Sequence, residues 1–215
     1  MQKKVVLAPV GDNMNALYVG LRDFPASRVV LLTSDSEIGE AEKASKELKK
    51  FGIPVKIITI EGDPWEGIFE KVSKLSAEEK DDEVVINTSS GDRNLQCAMT
   101  SAAFVNGLKA FAVMGDETML LPILKFSYYK ILTDKKLDIL RVLHEDKTCC
   151  KSLEELSKKI KMSPPLVSYH INGTLKSEGL KTLGLVEVSE KNGKIALNIS
   201  TLGRLLMKGY VKQAL

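Results

Sequence analysis

Val84-Val85-Ile86-Asn87-Thr88-Ser89-Ser90-Gly91-Asp92-Arg93-Asn94-Leu95 opens as an apolar, β-branched run, breaks into a hydroxyl-rich loop with one glycine, and passes into a stretch of helical periodicity. Strand, short polar loop and helix, in that order, form the repeating unit of a parallel α/β layer. The same succession recurs through the first 126 residues. Strand-like runs fall at Val5–Pro9, Val29–Thr33, Val55–Ile60, Val84–Asn87 and Ala110–Met114, with helical stretches at Met14–Asp23, Ile38–Phe51, Trp65–Leu75 and Leu95–Asn106. Val29-Val30-Leu31-Leu32 is apolar without alternation, as expected of a strand covered on both faces. The second helix stops at Gly52-Ile53-Pro54, a C-terminal stop signal. Residues 1–126 therefore read as a Rossmann-like, mostly parallel sheet with right-handed crossovers.

In such a sheet, ligands sit outside the carboxyl ends of the strands, where the winding direction reverses. Two loops qualify. One follows the first strand and holds Gly11, Asp12 and Asn13; the other follows the fourth and holds Thr88, Ser89, Ser90, Gly91, Asp92 and Arg93. If strands 1 and 4 are neighbours, both loops open into one crevice. The second loop offers three hydroxyls, a guanidinium and the amides of a helix start, a set suited to phosphate or another anion. Gly91 permits close approach or a positive φ. The plainer alternative is a Ser-Gly-Asp turn with Asp92 or Asn94 as the helix N-cap.

Several classes are excluded by motif. No G-x-G-x-x-G follows the first strand, no G-x-x-x-x-G-K-[ST] occurs, and no nucleophile elbow is present, so neither a nicotinamide cofactor nor a P-loop is expected. Cys97, Cys149 and Cys150 fit a reducing compartment, and His144 and His170 lie too far apart for a zinc site to be expected. No cofactor is anticipated. The chain has 215 residues, 44% hydrophobic and 27% charged, an ordinary globular composition with no run long enough to span a membrane. No signal-type h-region opens the sequence, and the expectation is a cytoplasmic protein.

From residue 127 the character changes. Residues 1–126 carry 15 basic and 19 acidic side chains, a net −4; residues 127–215 carry 16 and 9, a net +7. A basic module on an acidic one points to a polyanionic partner, although small domains also carry surplus charge for no such reason. Asp134 is the expected N-cap of a helix with Leu137, Ile139, Leu140, Val142 and Leu143 at helical spacing. Ser152-Leu153-Glu154-Glu155 is a capping box opening a second helix. Ser163-Pro164-Pro165 opens a third, with Leu166, Val167, Ile171 and Leu175 at core spacing and a C-terminal limit near Leu175–Ser177. Leu185–Val188 and Lys194–Ile199 flank the hairpin signal Asn192-Gly193, and Ser200-Thr201 caps a last helix over Leu202–Gln213. Met119–Leu132 reads as an apolar connection between the two parts.

Three helices, a hairpin and a final helix make a winged helix-turn-helix. Leu153–Ile160 followed by Ser163-Pro164-Pro165-Leu166-Val167-Ser168-Tyr169-His170-Ile171 resembles the helix-turn-helix transcription regulators of archaea and bacteria. In those regulators the third helix enters the major groove and the wing meets the backbone. The resemblance implies that Ser163, Pro165, Ser168, Tyr169, Asn172 and Lys176 face double-stranded DNA, with Lys191 and Lys194 of the hairpin on phosphates. Lys158, Lys159 and Lys161 are further candidates for phosphate contact. A helix-turn-helix used only for protein contacts is the alternative.

The two parts together are similar to the CARF (CRISPR-associated Rossmann fold) regulators of archaea, with Thr88-Ser89-Ser90-Gly91-Asp92-Arg93 standing for that family's loop after the fourth strand. The resemblance implies a homodimer that binds a nucleotide-like effector, a cyclic oligoadenylate, across its two-fold axis and regulates transcription; no residue set in the sequence calls for catalysis, and an enzyme is not expected. A ring nuclease that cleaves its cyclic ligand, using Ser89, Ser90 and Arg93, is the rival implied by the same family.

Overall fold

The computed structural model describes residues 3–79, 81–123, 132–146, 152–175, 177–191 and 194–208. The chain divides into two compact units, one formed by Met1–Ser127 with the terminal Gly209–Leu215 and the other by Tyr128–Lys208. No helix among the described residues is long and apolar enough to cross a membrane.

In the first unit β1 (Lys4–Pro9), α1 (Asn15–Asp23), β2 (Arg28–Thr33), α2 (Ile38–Lys50), β3 (Val55–Thr59), α3 (Pro64–Glu78), β4 (Glu83–Asn87), α4 (Arg93–Asn106), β5 (Lys109–Met114) and β6 (Glu117–Leu120) follow one another. The sheet order is β3-β2-β1-β4-β5-β6. The first five strands run parallel and β6 is antiparallel to β5. Val6 sits between Val29 and Val85 in register, and Leu7 between Val30 and Ile86. Those residues are fully buried, which accounts for the unbroken apolar runs. The sheet core includes Leu17, Leu31, Leu48 and Phe111, with Phe24 stacked on Phe111 at 4.4 Å between ring centroids.

Helix α2 ends as its sequence demands. Gly52 takes φ +74°, its N–H reaches the Lys49 carbonyl at 3.0 Å, and the Ile53 N–H reaches the Leu48 carbonyl at 3.1 Å. These are the two bonds of a Schellman motif. Strand β6 corrects the sequence reading, which placed Met119 at the start of a connection. Met119 and Leu120 instead pair with Ala112 and Phe111.

The second unit contains α5 (Asp134–Glu145), α6 (Leu153–Ile160), α7 (Pro164–Asn172), β7 (Gly173–Thr174), β8 (Ser177–Glu178), β9 (Val186–Lys191), β10 (Lys194–Ile199) and α8 (Thr201–Lys208). Leu137, Leu140, Leu156, Val167, Ile171, Leu180, Leu197 and Leu206 are buried at its centre. The N-cap of α5 is Thr133, whose hydroxyl accepts from Lys136 N–H at 3.4 Å; Asp134 lies inside the first turn, where its charge suits the helix dipole. Ser152 caps α6 as expected, accepting from Glu155 N–H at 3.2 Å. Ser163 stands at the N-cap position of α7 without a side-chain cap bond.

The C-terminal part of α7 departs from expectation. Gly173 adopts φ +76° and ends the helix at Asn172. A Cβ on Gly173 would lie 2.3 Å from the Gly179 backbone nitrogen, so these two glycines let the chain double back tightly. Leu175 is carried to the tip of the β7–β8 turn and is fully exposed, and Leu166 is exposed on α7, so neither belongs to the core. Helix α8 begins at Thr201, with Ser200 Oγ accepting from Gly203 N–H at 2.9 Å, and is described as far as Lys208; the expected extension to Gln213 lies outside the described residues.

Candidate functional site

Strands β1 and β4 are adjacent and parallel, so the loops that follow them leave the sheet side by side at the point where the winding reverses. The two loops are in direct contact. Ser90 Oγ donates to the Pro9 carbonyl at 2.6 Å, and Asn13 N–H donates to the Ser90 carbonyl at 3.3 Å. A Cβ on Gly11 would meet Asp92 N at 2.9 Å, and one on Gly91 would meet Pro9 Cβ and Leu95 Cβ at 2.9 Å. Both glycines serve close approach of one loop to the other, and neither has a positive φ.

The three hydroxyls of the second loop do not stand open. Thr88, Ser89 and Ser90 are buried. Thr88 Oγ1 donates to the Phe111 carbonyl at 3.1 Å, and Ser89 Oγ accepts from Val113 N–H at 2.8 Å. Together with the Ser90 bond to Pro9, they tie the loop to β5 and β1. This corrects the expectation that all three hydroxyls are presented to a ligand. The sequence does not tell which face a serine turns to the sheet, and here the buried backbone groups claim them.

Asn87 was not singled out by sequence, yet it organises the loop. Its amide donates to the Ala16 carbonyl at 3.0 Å and its carbonyl accepts from Ser89 N–H at 2.8 Å. Gln96 adds a second brace, donating to the Gly91 carbonyl at 2.9 Å. Asp92 is the N-cap of α4 and accepts from Leu95 N–H at 2.8 Å. The plain turn reading is correct for Asp92.

What this edge exposes is Asp12 and Asn13 from the first loop and Asp92, Arg93 and Asn94 from the second. Arg93 opens α4 at its first position. The other carboxyl-edge loops add Asp35 and Glu37 after β2 and Glu61 and Asp63 after β3. Asp63 caps α3, accepting from Glu66 N–H at 3.0 Å. The edge therefore combines one guanidinium and several helix N-termini with a surplus of carboxylates. Trp65, on the first turn of α3, donates its indole N–H to Asn94 Oδ1 at 2.8 Å. The 29-residue separation of that pair hid it from sequence reading. Among the described residues no cluster of His, Cys, Asp or Glu could hold a metal ion.

In the second unit, Ser163, Pro165, Tyr169 and Asn172 are exposed and Ser168 is half-buried. Asn172 Nδ2 donates to Ser168 Oγ at 3.1 Å, one helical turn away. Lys158, Lys159 and Lys161 are exposed, with Lys159 paired to Asp146. Lys191 and Lys194 pair with each other in register at the closed end of the β9–β10 ladder. Lys176 and the Asn192-Gly193 turn lie outside the described residues. His170 is buried on the inner face of α7, and its Nδ1 has no partner among the described residues. Burial first, then the Lys136 and Lys135 ammoniums, hold its imidazole below the usual range. Lys136 is itself buried and donates from Nζ to the Glu178 carbonyl at 2.5 Å, anchoring the β7–β8 turn.

A family model described as "HFX_2341_N:-like, N-terminal" matches residues 4–118. No curated protein matches the sequence. Among solved structures, protein VC1899 from Vibrio cholerae shares 15% identity over 96% of this chain and 64% of its own, with a TM-score of 0.50, a likeness of fold. A type III CRISPR defence DNA nuclease activated by cyclic oligoadenylate shares 24% identity over 56% of this chain and 20% of its own, at a TM-score of 0.47. Can2 from Sulfobacillus thermosulfidooxidans, solved with cyclic tetra-adenylate, shares 10% over 95% and 61%, at 0.46. The chain thus spans less than two thirds of the length of each of these proteins.

Proposed function

Since this chain belongs to the family "HFX_2341_N:-like, N-terminal", matched across its α/β unit, we propose that it is a ligand-responsive regulator of transcription. Its first unit binds a nucleotide-like anion, and its second is a winged helix-turn-helix that grips double-stranded DNA. The observation that carries the first half is the contact between the loops after β1 and β4 at the reversal of the sheet. Arg93 and the first amides of α4 stand at that contact, and a helix N-terminus with a guanidinium suits a phosphodiester. Gly11, Asp12, Asn13 and Gly91 to Arg93 border the ligand, and Thr88, Ser89 and Ser90 hold the loop in place from beneath. A cyclic oligoadenylate is the candidate effector, on the resemblance of Thr88–Arg93 to the CARF loop. Two copies of the chain would form a homodimer with the effector across the two-fold axis.

The second half rests on the order of elements, the surplus of seven positive charges after residue 126 and the exposed face of α7. Ser163, Pro165, Ser168, Tyr169, Asn172 and Lys176 meet bases or backbone, and Lys191 and Lys194 meet phosphates. The ring-nuclease reading loses ground because the Ser89 and Ser90 hydroxyls are engaged with backbone groups. Both serines are also buried, so Arg93 is the one exposed residue of the three, and we take the role to be binding without catalysis.

Calorimetry with cyclic tetra-adenylate tests the sensor. Arg93→Ala should weaken binding by about tenfold, the loss typical of a charge-assisted contact. Unchanged affinity would remove the assignment. Linear products on incubation with the same ligand would establish the nuclease instead.

A further inference from the structure

We infer that Trp65 is the platform on which a base of the effector stacks, an inference that rests on the ligand site proposed above. Trp65 lies on the first turn of α3, at the carboxyl edge of the sheet. Helical side chains lean toward the helix N-terminus, so the indole leans toward the edge where the β1 and β4 loops meet. Its ring is held at two points. The indole N–H is bonded to Asn94 on the first turn of α4, at 2.8 Å. Phe69, one turn later on α3, stacks beside it at 6.4 Å with 27° between the planes.

These contacts decide what chemistry remains to the ring. An indole has one polar atom, a donor, and Asn94 occupies it. Any further contact is made through the π surface. Phe69 is 2% exposed and marks the core side of the ring, while Trp65 itself is only half-buried. We take the open part of this large aromatic side chain to be the face turned away from Phe69. Arg93 is the chain neighbour of Asn94, so the cation and the residue that holds the indole both lie on the first turn of α4. A phosphate on the cation with a base on the ring is the arrangement of a nucleotide. Stacking on an aromatic face is tolerant of base identity, so Trp65 contributes affinity for a nucleobase more than choice among bases.

Trp65 is the single tryptophan of the chain, which makes it its own reporter. The experiment titrates full-length protein with cyclic tetra-adenylate and, separately, with ribose 5-phosphate, reading heat and tryptophan emission together. Cyclic tetra-adenylate should change the emission in step with the heat, and ribose 5-phosphate should leave it unchanged. Trp65→Ala should weaken cyclic tetra-adenylate by about tenfold or more, and Trp65→Phe should recover most of that loss. Heat from cyclic tetra-adenylate without an emission change, or equal affinity of Trp65→Ala and wild type, overturns the stacking role and leaves the ligand site standing. Absence of heat with the wild type overturns the site and the inference with it. Emission that follows protein dilution and ignores ligand assigns the ring to a contact between copies and overturns the inference. The wild-type emission decides the matter even if Trp65→Ala does not fold.

Discussion

Ser90 Oγ donates to the Pro9 carbonyl at 2.6 Å, joining the loop after β4 to the last residue of β1. With the bond from Asn13 N–H to the Ser90 carbonyl, it holds the two carboxyl-edge loops against each other just ahead of the Asp92 cap of α4. A hydroxyl anticipated as a ligand contact is thus part of the frame that carries the proposed ligand contacts. The division between frame and contact surface yields separable expectations.

Ser90→Ala removes the donor and leaves the Pro9 carbonyl unsatisfied in a buried position, because both residues are buried. Stability should fall by about 1–3 kcal/mol. Arg93→Ala, at an exposed position, should change stability by no more than about 0.5 kcal/mol. Urea unfolding of the two variants checks the pair. Equal stability of Ser90→Ala and wild type would contradict the framing role.

Gly11→Ala places a methyl group 2.9 Å from Asp92 N and 3.1 Å from Gly91 Cα, both backbone atoms that cannot step aside alone. The loops must part, at a cost of about 1–3 kcal/mol. Because the parted loops also displace the start of α4, affinity for cyclic tetra-adenylate should fall along with thermal stability. A variant with wild-type melting and wild-type affinity would show that the loops do not touch as described.

His170 supplies a pH dependence. Its imidazole is held below the usual range by burial and then by the Lys136 and Lys135 ammoniums. At pH values near and below the ordinary histidine value of about 6.5, the unfolded chain binds the proton that the folded one resists. The folded state therefore has its full stability above about pH 6.5 and loses some as the pH falls through the depressed folded value. His170→Gln should lose less stability than wild type between about pH 7.5 and 5.5, measured by urea unfolding. Parallel losses in the two proteins would contradict the buried neutral imidazole.

The basic unit makes a prediction about salt. Each phosphate contact contributes about 0.9 to the slope of log affinity against log salt concentration. Replacing Lys176 and Lys191 together by alanine should flatten that slope by about 2 and weaken every duplex alike. Fluorescence anisotropy at several salt concentrations measures it. An unchanged slope would remove both residues from the backbone contacts.

The parallel layer was legible because its central strands are buried on both faces and so carry uninterrupted apolar runs, as at Val29–Leu32. Strand β6 escaped notice for the opposite reason. Glu117, Met119 and Leu120 are exposed on a four-residue edge strand, and such a strand has no pattern to display. In the second unit, Leu166 and Leu175 match a helical core stripe by spacing. For Leu175 that spacing fails because Gly173 at φ +76° ends the helix at Asn172, whereas Leu166 lies inside the first turn of α7 and is exposed there. The candidate site was legible as two loops at one edge on the condition that the first and fourth strands are neighbours, and the order β3-β2-β1-β4-β5-β6 meets it. Its internal wiring was not. Whether a serine faces a ligand or a carbonyl depends on register with β1 and β5, and the contact of Trp65 with Asn94 depends on how α3 and α4 lie together.

The central claim is that occupancy of the first unit changes how the second holds DNA. Its most direct test is the affinity of full-length protein for duplexes selected from a random library, measured by anisotropy with and without saturating cyclic tetra-adenylate. A ligand that distinguishes two arrangements of the protein should shift that affinity by about fivefold or more. Superimposable isotherms with and without a ligand that calorimetry shows to be bound would contradict the account.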